Sequence, residues 1–185
     1  MHSVICSEIE YECESFQSFM DSERSSANSQ WIFDLIDKKF KSHKEQVFID
    51  KQEWCCCADK HHGADVRYLV VFRDKTLKTI RDLREQHLAL LEEIFKGVSA
   101  WLISRHPNHS NMFNMYFHYM PSVFQLHLHI TLDKQHMNQL RAQTLQNVMR
   151  NIRQDSEYYK KALVLTKMCK TLKRAQTHDT VKVAI

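Results

Sequence analysis

Hydrophobic positions recur along this chain with two periods, and the switches between them mark out the elements. From Asp82 to Ile103, the residues Leu83, Leu88, Leu91, Ile94, Phe95, Val98, Trp101 and Leu102 mostly recur at three- to four-residue spacing. That spacing lines one face of a helix, and Pro107 in Arg-His-Pro-Asn-His-Ser ends it. A second helix is predicted from about Lys134 to Ile152, through Met137, Leu140, Leu145, Val148, Met149 and Ile152. A shorter one sets Ile32, Leu35 and Ile36 on one side, with Ser29 as its N-cap. Strand-forming runs cover Gln46 to Ile49, Glu53 to Ala58 and Tyr68 to Phe72. Met112 to Met120 and Ser122 to Leu132 read as two strands joined at Pro121, and Leu163-Val-Leu-Thr as a last one. The order predicts an α+β fold around a mainly antiparallel sheet with flanking helices. Residues 1–28 are polar and rich in serine, and are expected to be a loosely held lead-in. The folded domain is placed at 29–170 and a basic, loosely ordered tail at 171–185.

One strand stands out chemically. In Phe124-Gln-Leu-His-Leu-His-Ile-Thr-Leu, the alternation sends Phe124, Leu126, Leu128 and Ile130 to one face. Gln125, His127, His129 and Thr131 go to the other, and His118 lies on the adjoining strand. A row of an amide, two imidazoles and a hydroxyl is costly to bury without partners. It fits three readings: half-buried histidines bonded to neighbours, a metal site, or phosphorus chemistry with one histidine as nucleophile. Metal is the weaker, because no third donor stands at ligand spacing beside the row and no His-Glu-x-x-His occurs.

Composition narrows these options. With only Gly63, Gly97, Pro107 and Pro121, neither glycine-rich phosphate loop can be written, so phosphates must be met by side chains and helix ends. The charge balance, 26 basic against 22 acidic residues with twelve His besides, is mildly basic. The stretch Lys167 to Lys173 therefore reads as a solvated helix end rather than a nucleic-acid patch. Cys55-Cys-Cys alternates faces in a strand, which suits small buried hydrophobes better than a metal knuckle. No run approaches 18 apolar residues and no secretory leader pattern opens the chain, so neither a membrane span nor export is expected.

At this point the residues resemble a known family. His118-Tyr-Met-Pro-Ser-Val-Phe-Gln-Leu-His-Leu-His-Ile resembles the histidine triad (HIT) signature, and most closely the version in scavenger mRNA decapping enzymes, H-Y-L-P-S-x-x-H-L-H-V-H. Ile80-Arg-Asp-Leu-Arg-Glu-Gln-His-Leu-Ala-Leu-Leu is similar to that family's R-D-L-x-x-E-H-L-x-L-L. Gln30-Trp-Ile-Phe-Asp-Leu-Ile-Asp-Lys-Lys is similar to its Q-W-V-Y-N-I-L-D-K-K, and Tyr158-Tyr-Lys-Lys-Ala-Leu-Val-Leu-Thr to its closing strand.

The resemblance implies a HIT-like fold and hydrolysis of the triphosphate bridge of a 7-methylguanosine cap, without a cofactor or metal. His127 matches the nucleophile, His129 the last triad histidine, and His118 a histidine on the phosphates near the leaving group. Gln125 stands where the first triad histidine is expected. The implied substrate-binding set is Trp31, which stacks on the methylated base, Asp59, which reads the guanine edge, and Lys60, His61, Tyr119 and Ser122. The second guanine-reading carboxylate should fall near Phe40 to Ser42, where no acid stands; Glu45 is nearest. Other departures are Val123 in place of a tyrosine and no room for the family's N-terminal lid domain. The implied partners are a capped oligonucleotide or cap dinucleotide and a second copy of the chain as a homodimer, with no membrane. The implied setting is cytoplasmic or nuclear.

Overall fold

The computed structural model of the chain describes residues 9–21, 30–39, 46–59, 66–109, 112–132 and 141–169. Its main sheet has six antiparallel strands in the order β2-β3-β4-β6-β5-β7. These are β2 (Val47–Asp50), β3 (Trp54–Ala58), β4 (Arg67–Phe72), β5 (Asn114–His118), β6 (His127–Thr131) and β7 (Ala142–Thr144). A separate two-stranded sheet joins β1 (Ile9–Glu14) to β8 (Val164–Cys169). The helices are α1 (Phe16–Asp21), α2 (Gln30–Ile36), α3 (Leu88–Arg105), α4 (Leu145–Gln154) and α5 (Tyr158–Lys161).

Residues paired across antiparallel strands share a face, so the register sorts the side chains. On one face Trp54, Cys56, Val70, Phe72, Phe117, Leu128 and Ile130 form a single core with Leu91, Ile94, Val98 and Leu102 of α3. Leu145, Val148, Met149 and Ile152 of α4 complete it. Trp54 also donates its indole N–H to Glu93 of α3 at 3.1 Å. The opposite face divides. Over β3 and β4, Cys55, Cys57, Leu69 and Val71 pack under Ile32, Leu35 and Ile36 of α2. Over β6 and β5 the apolar pattern stops and polar side chains begin.

Three differences from the sequence expectation have local causes. The long helix starts at Leu88 rather than Asp82 because Asp82 folds back as a cap. Its carboxylate accepts from the N–H groups of Lys78 and Thr79, both at 2.8 Å, which closes a single turn and leaves Leu83 extended. The next helix begins at Leu145: Ala142–Thr144 is strand β7, and the Thr144 hydroxyl accepts from the Asn147 N–H. The earlier part of that expected helix, 134–140, lies outside the described residues, as do Ser29 and the tail from 170. Third, the lead-in contains β1 and α1, and it is tied into the domain.

The tie is a buried guanidinium. Arg81, fully buried, donates from Nε to the Tyr119 hydroxyl at 2.6 Å. Its Nη1 donates to the Tyr159 carbonyl and its Nη2 to the Glu14 carbonyl, both at 2.6 Å. The Tyr119 hydroxyl donates in turn to the Glu14 carboxylate, and burial pushes that phenol well above its ordinary pKa. A buried charge is tolerable only when its donors are satisfied in this way.

Candidate active site

The histidine row predicted for β6 forms, and the register shows its neighbours. His127 and His129 lie across from Val71 and Leu69 of β4, which puts the imidazoles on the sheet face that α2 covers farther along. On the other side, Tyr116 of β5 lies across from His129. The alternation of β5 then places His118 with Tyr116 on this face.

Four rings meet there. Tyr116 stacks on His129 with centroids 5.6 Å apart and planes 15° from parallel. His118 approaches His129 to 4.4 Å and Tyr116 to 5.2 Å, while His127 is 5.0 Å from His129. The Tyr116 hydroxyl hydrogen-bonds Thr131, and its pKa is raised, chiefly by burial.

His127 is the most enclosed of the three histidines. Its Nδ1 lies 2.7 Å from the carbonyl oxygen of Gln125. A carbonyl only accepts, so Nδ1 carries the proton and Nε2 presents a lone pair. Burial lowers the pKa of the ring, opposed by the bond to that carbonyl and by the charge of Asp59. The imidazole is therefore neutral at neutral pH, with one nitrogen ready as a nucleophile.

Asp59 is buried at the end of β3, on the His127 side by alternation from Cys55 and Cys57. Its charge also reaches Tyr116, as does that of Arg67. Trp31 is half-buried on α2, packed against the patch that contains Val71 and Val123. Ser122 is exposed in the turn between β5 and β6. Gln125 is fully buried, with its amide turned to the end of β4: Nε2 donates to the carbonyls of Phe72 and Asp74, each at 2.9 Å.

Of the residues expected in the site, the structure thus gathers His118, His127, His129 and Asp59, and sets Trp31 on the same face of the sheet. Tyr119 is placed elsewhere. It is one residue past His118, so its side chain turns to the opposite face and lies in the core against Arg81 and Glu14. Lys60 and His61, like the stretch 40–45, lie outside the described residues.

Thr131, the hydroxyl of the row read from the sequence, is on the site face, and Tyr116 and Arg67 join it there without having been singled out from the sequence. The signal was there: Tyr116 stands two residues before His118, and Arg67 two before Leu69, each on the face that alternation assigns. Among the described residues, no group of three or more His, Cys, Asp or Glu is arranged to hold a metal ion.

Comparison with known proteins follows the same lines. The sequence model of the family described as "Scavenger mRNA decapping enzyme C-term binding" matches residues 30–145, well over half of the chain. The chain belongs to that family. Among curated relatives it is 26% identical over 152 residues to m7GpppX diphosphatase of Sus scrofa, covering 75% of this chain and 44% of that one. The human m7GpppX diphosphatase is 24% identical over 150 residues, covering 74% and 43%. The chain therefore spans less than half the length of these relatives. Among solved structures it is similar to Hnt3 in complex with DNA and guanosine, at a TM-score of 0.50 and 17% identity, covering 80% of this chain and 91% of that one. The family and this likeness agree on a HIT-like α+β fold, with an antiparallel sheet and flanking helices.

Proposed function

We propose that this decapping-family domain is a HIT-type hydrolase of 7-methylguanosine-capped short RNA fragments or the cap dinucleotide, releasing 7-methylguanosine monophosphate. The observation that carries the reading is the His127 ring, held by the Gln125 carbonyl at Nδ1 so that Nε2 keeps its lone pair.

In the proposed reaction Nε2 attacks the phosphorus nearest the methylated nucleoside. A P–N bond forms, and the P–O bond to the remaining nucleoside diphosphate breaks. That leaving oxygen takes up a proton from the site or solvent. Water then attacks the phosphorus, the P–N bond breaks, its electron pair returns to Nε2, and the proton of the water is released. His129, edge-on to His127, and His118, tilted against His129, face the phosphate oxygens as donors, and Ser122 lies along the same path. Trp31 stacks under the cationic base, an arrangement favoured by the negative face of an indole. Asp59 accepts from the guanine edge. We place the enzyme as a homodimer in the cytoplasm or nucleus.

The experiment is cleavage of a methylated cap dinucleotide with the products resolved. Release of 7-methylguanosine monophosphate, with His127 alkylation blocking it, is expected. Binding without cleavage would replace this reading by a cap-binding protein. Equal cleavage of the unmethylated dinucleotide would replace it by a broader nucleotide hydrolase.

A further inference from the structure

Gln125 occupies the position where the family carries its first triad histidine, and an amide there looks at first like a substitute phosphate ligand. Its geometry argues otherwise. Both amide protons are directed at carbonyl oxygens, those of Phe72 and Asp74. Carbonyls cannot donate, so the amide orientation is fixed, and no N–H remains for a phosphate. What remains is Oε1, buried and without a hydrogen-bond donor. A bare acceptor oxygen repels phosphate oxygens rather than binding them.

The partners of Gln125 have a role of their own. The backbone around them is stitched to the start of β6: the Phe72 N–H donates to the Leu126 carbonyl at 3.2 Å, and the Leu126 N–H to the Leu77 carbonyl at 2.8 Å. The two residues between and beyond those carbonyls grip the end of α2. Arg73 donates from Nη1 to the Ile36 carbonyl at 2.7 Å, and Lys75 from Nζ to Asp37 at 2.6 Å. Arg73 also reaches Asp50 of β2 at 2.5 Å. The four residues 72–75 thus hold the helix that carries Trp31 on one side. On the other they hold the residue whose carbonyl fixes His127.

We propose that Gln125 is a positioning residue. It acts through His127, not on the substrate: by tying its own backbone to residues 72–75 it keeps its carbonyl on Nδ1. That fixes the tautomer of His127 and its place relative to α2. The proposal rests on His127 being the nucleophile, yet its first test needs no turnover.

That test is the ¹⁵N spectrum of the imidazoles in the whole chain, comparing wild type with Gln125→Met, which keeps the volume and removes both donors. In wild type His127 is expected as a single Nδ1–H tautomer. In the variant it becomes a mixture of tautomers, and its titration midpoint moves further below the ordinary value, because the carbonyl bond that raises it is weakened. An unchanged His127 tautomer would overturn the proposal even if the cap dinucleotide proves not to be a substrate.

The second test uses that dinucleotide. Gln125→Met is expected to lower kcat by up to about 100-fold, as misplacement of a reacting group does, with KM within about 3-fold. Gln125→His, which offers a donor that can be charged, is expected to leave KM unimproved. A KM at least tenfold lower in Gln125→His, or a raised KM with unchanged kcat in Gln125→Met, would identify Gln125 as a phosphate ligand instead.

Discussion

The two faces of the six-stranded sheet are built from the same strands by the same alternation, yet they are made for different ends. One is continuous: Leu128 and Ile130 of β6 join Phe72, Phe117 and the apolar sides of α3 and α4 in a single core. The other is hydrocarbon only where α2 covers β3 and β4, and turns to imidazoles over β6 and β5. On β6, each residue therefore either stabilises or serves chemistry according to its parity. A one-residue slip of β6 would exchange the two sets. The continuous face holds the register that makes the other face possible.

The sharpest way to break this comparison is to change neighbours of opposite parity. His127→Asn is expected to cut cap-dinucleotide cleavage by at least about a thousandfold, as loss of a nucleophile does, while the thermal midpoint stays within a few degrees. Leu128→Ala, one residue on, is expected to destabilise by about 2–5 kcal/mol and to leave the rate of the folded fraction nearly unchanged. Calorimetry and single-turnover kinetics on both variants decide it; equal losses of stability would erase the distinction between the faces.

Arg81→Met probes the anchor rather than either face. Removing one partner of a buried charged network costs about 3–5 kcal/mol, and Glu14 and Tyr119 lose their common donor. The expected readout is a lower denaturant midpoint, and a midpoint unchanged within error would show that the network contributes nothing.

Acid should separate the faces as well. Because burial lowers the His127 pKa, the ring stays neutral into more acid solution than a solvated imidazole. The acid limb of kcat is then expected below pH 6.5, the ordinary value. The same shift has a stability sign. Below 6.5 the unfolded chain takes up a proton on this ring that the folded chain refuses, so stability is full above that pH and declines beneath it. Asp59→Asn removes a charge that raises the pKa, and should move the limb further toward acid. A limb above 6.5 would contradict the burial of the ring. The smallest effect belongs to the surface: Glu92→Gln, which breaks the exposed pair with Arg153, is expected to cost no more than about 1 kcal/mol.

How far the sequence foretold this can be judged residue by residue. β6 was legible because its alternation is strict and its polar members are histidines, which are conspicuous on a half-buried strand. α3 was legible in its body and not at its start. A helical period in Leu83 and Leu88 says nothing of Asp82 closing a separate turn first. β7, with three residues, is too short to show a period. β1 shows one, since Ile9-Glu-Tyr-Glu-Cys-Glu alternates, but it sits in a stretch whose polar, serine-rich composition reads as a lead-in. Its partner β8 lies more than 150 residues away in sequence, and no local pattern announces such a pairing. Tyr119 differs for the opposite reason: it lies within the family motif, and the motif does not show that its side chain turns away from His118 into the core.

That distant pairing shapes how the chain is made. Among the described residues, β1 is paired with β8 alone, and Ile9 lies opposite Cys169. On the ribosome β1 emerges early and β8 late, so the first strand waits through the synthesis of the whole sheet. Closing so long a loop costs entropy that contacts formed earlier do not repay, which makes this pairing a late and slow event. Until then Arg81 lacks the Glu14 carbonyl, which lies on β1. The nascent domain can thus assemble its sheet, histidines included, while one buried cation still lacks one of its acceptors; the pairing of β1 with β8 brings it in.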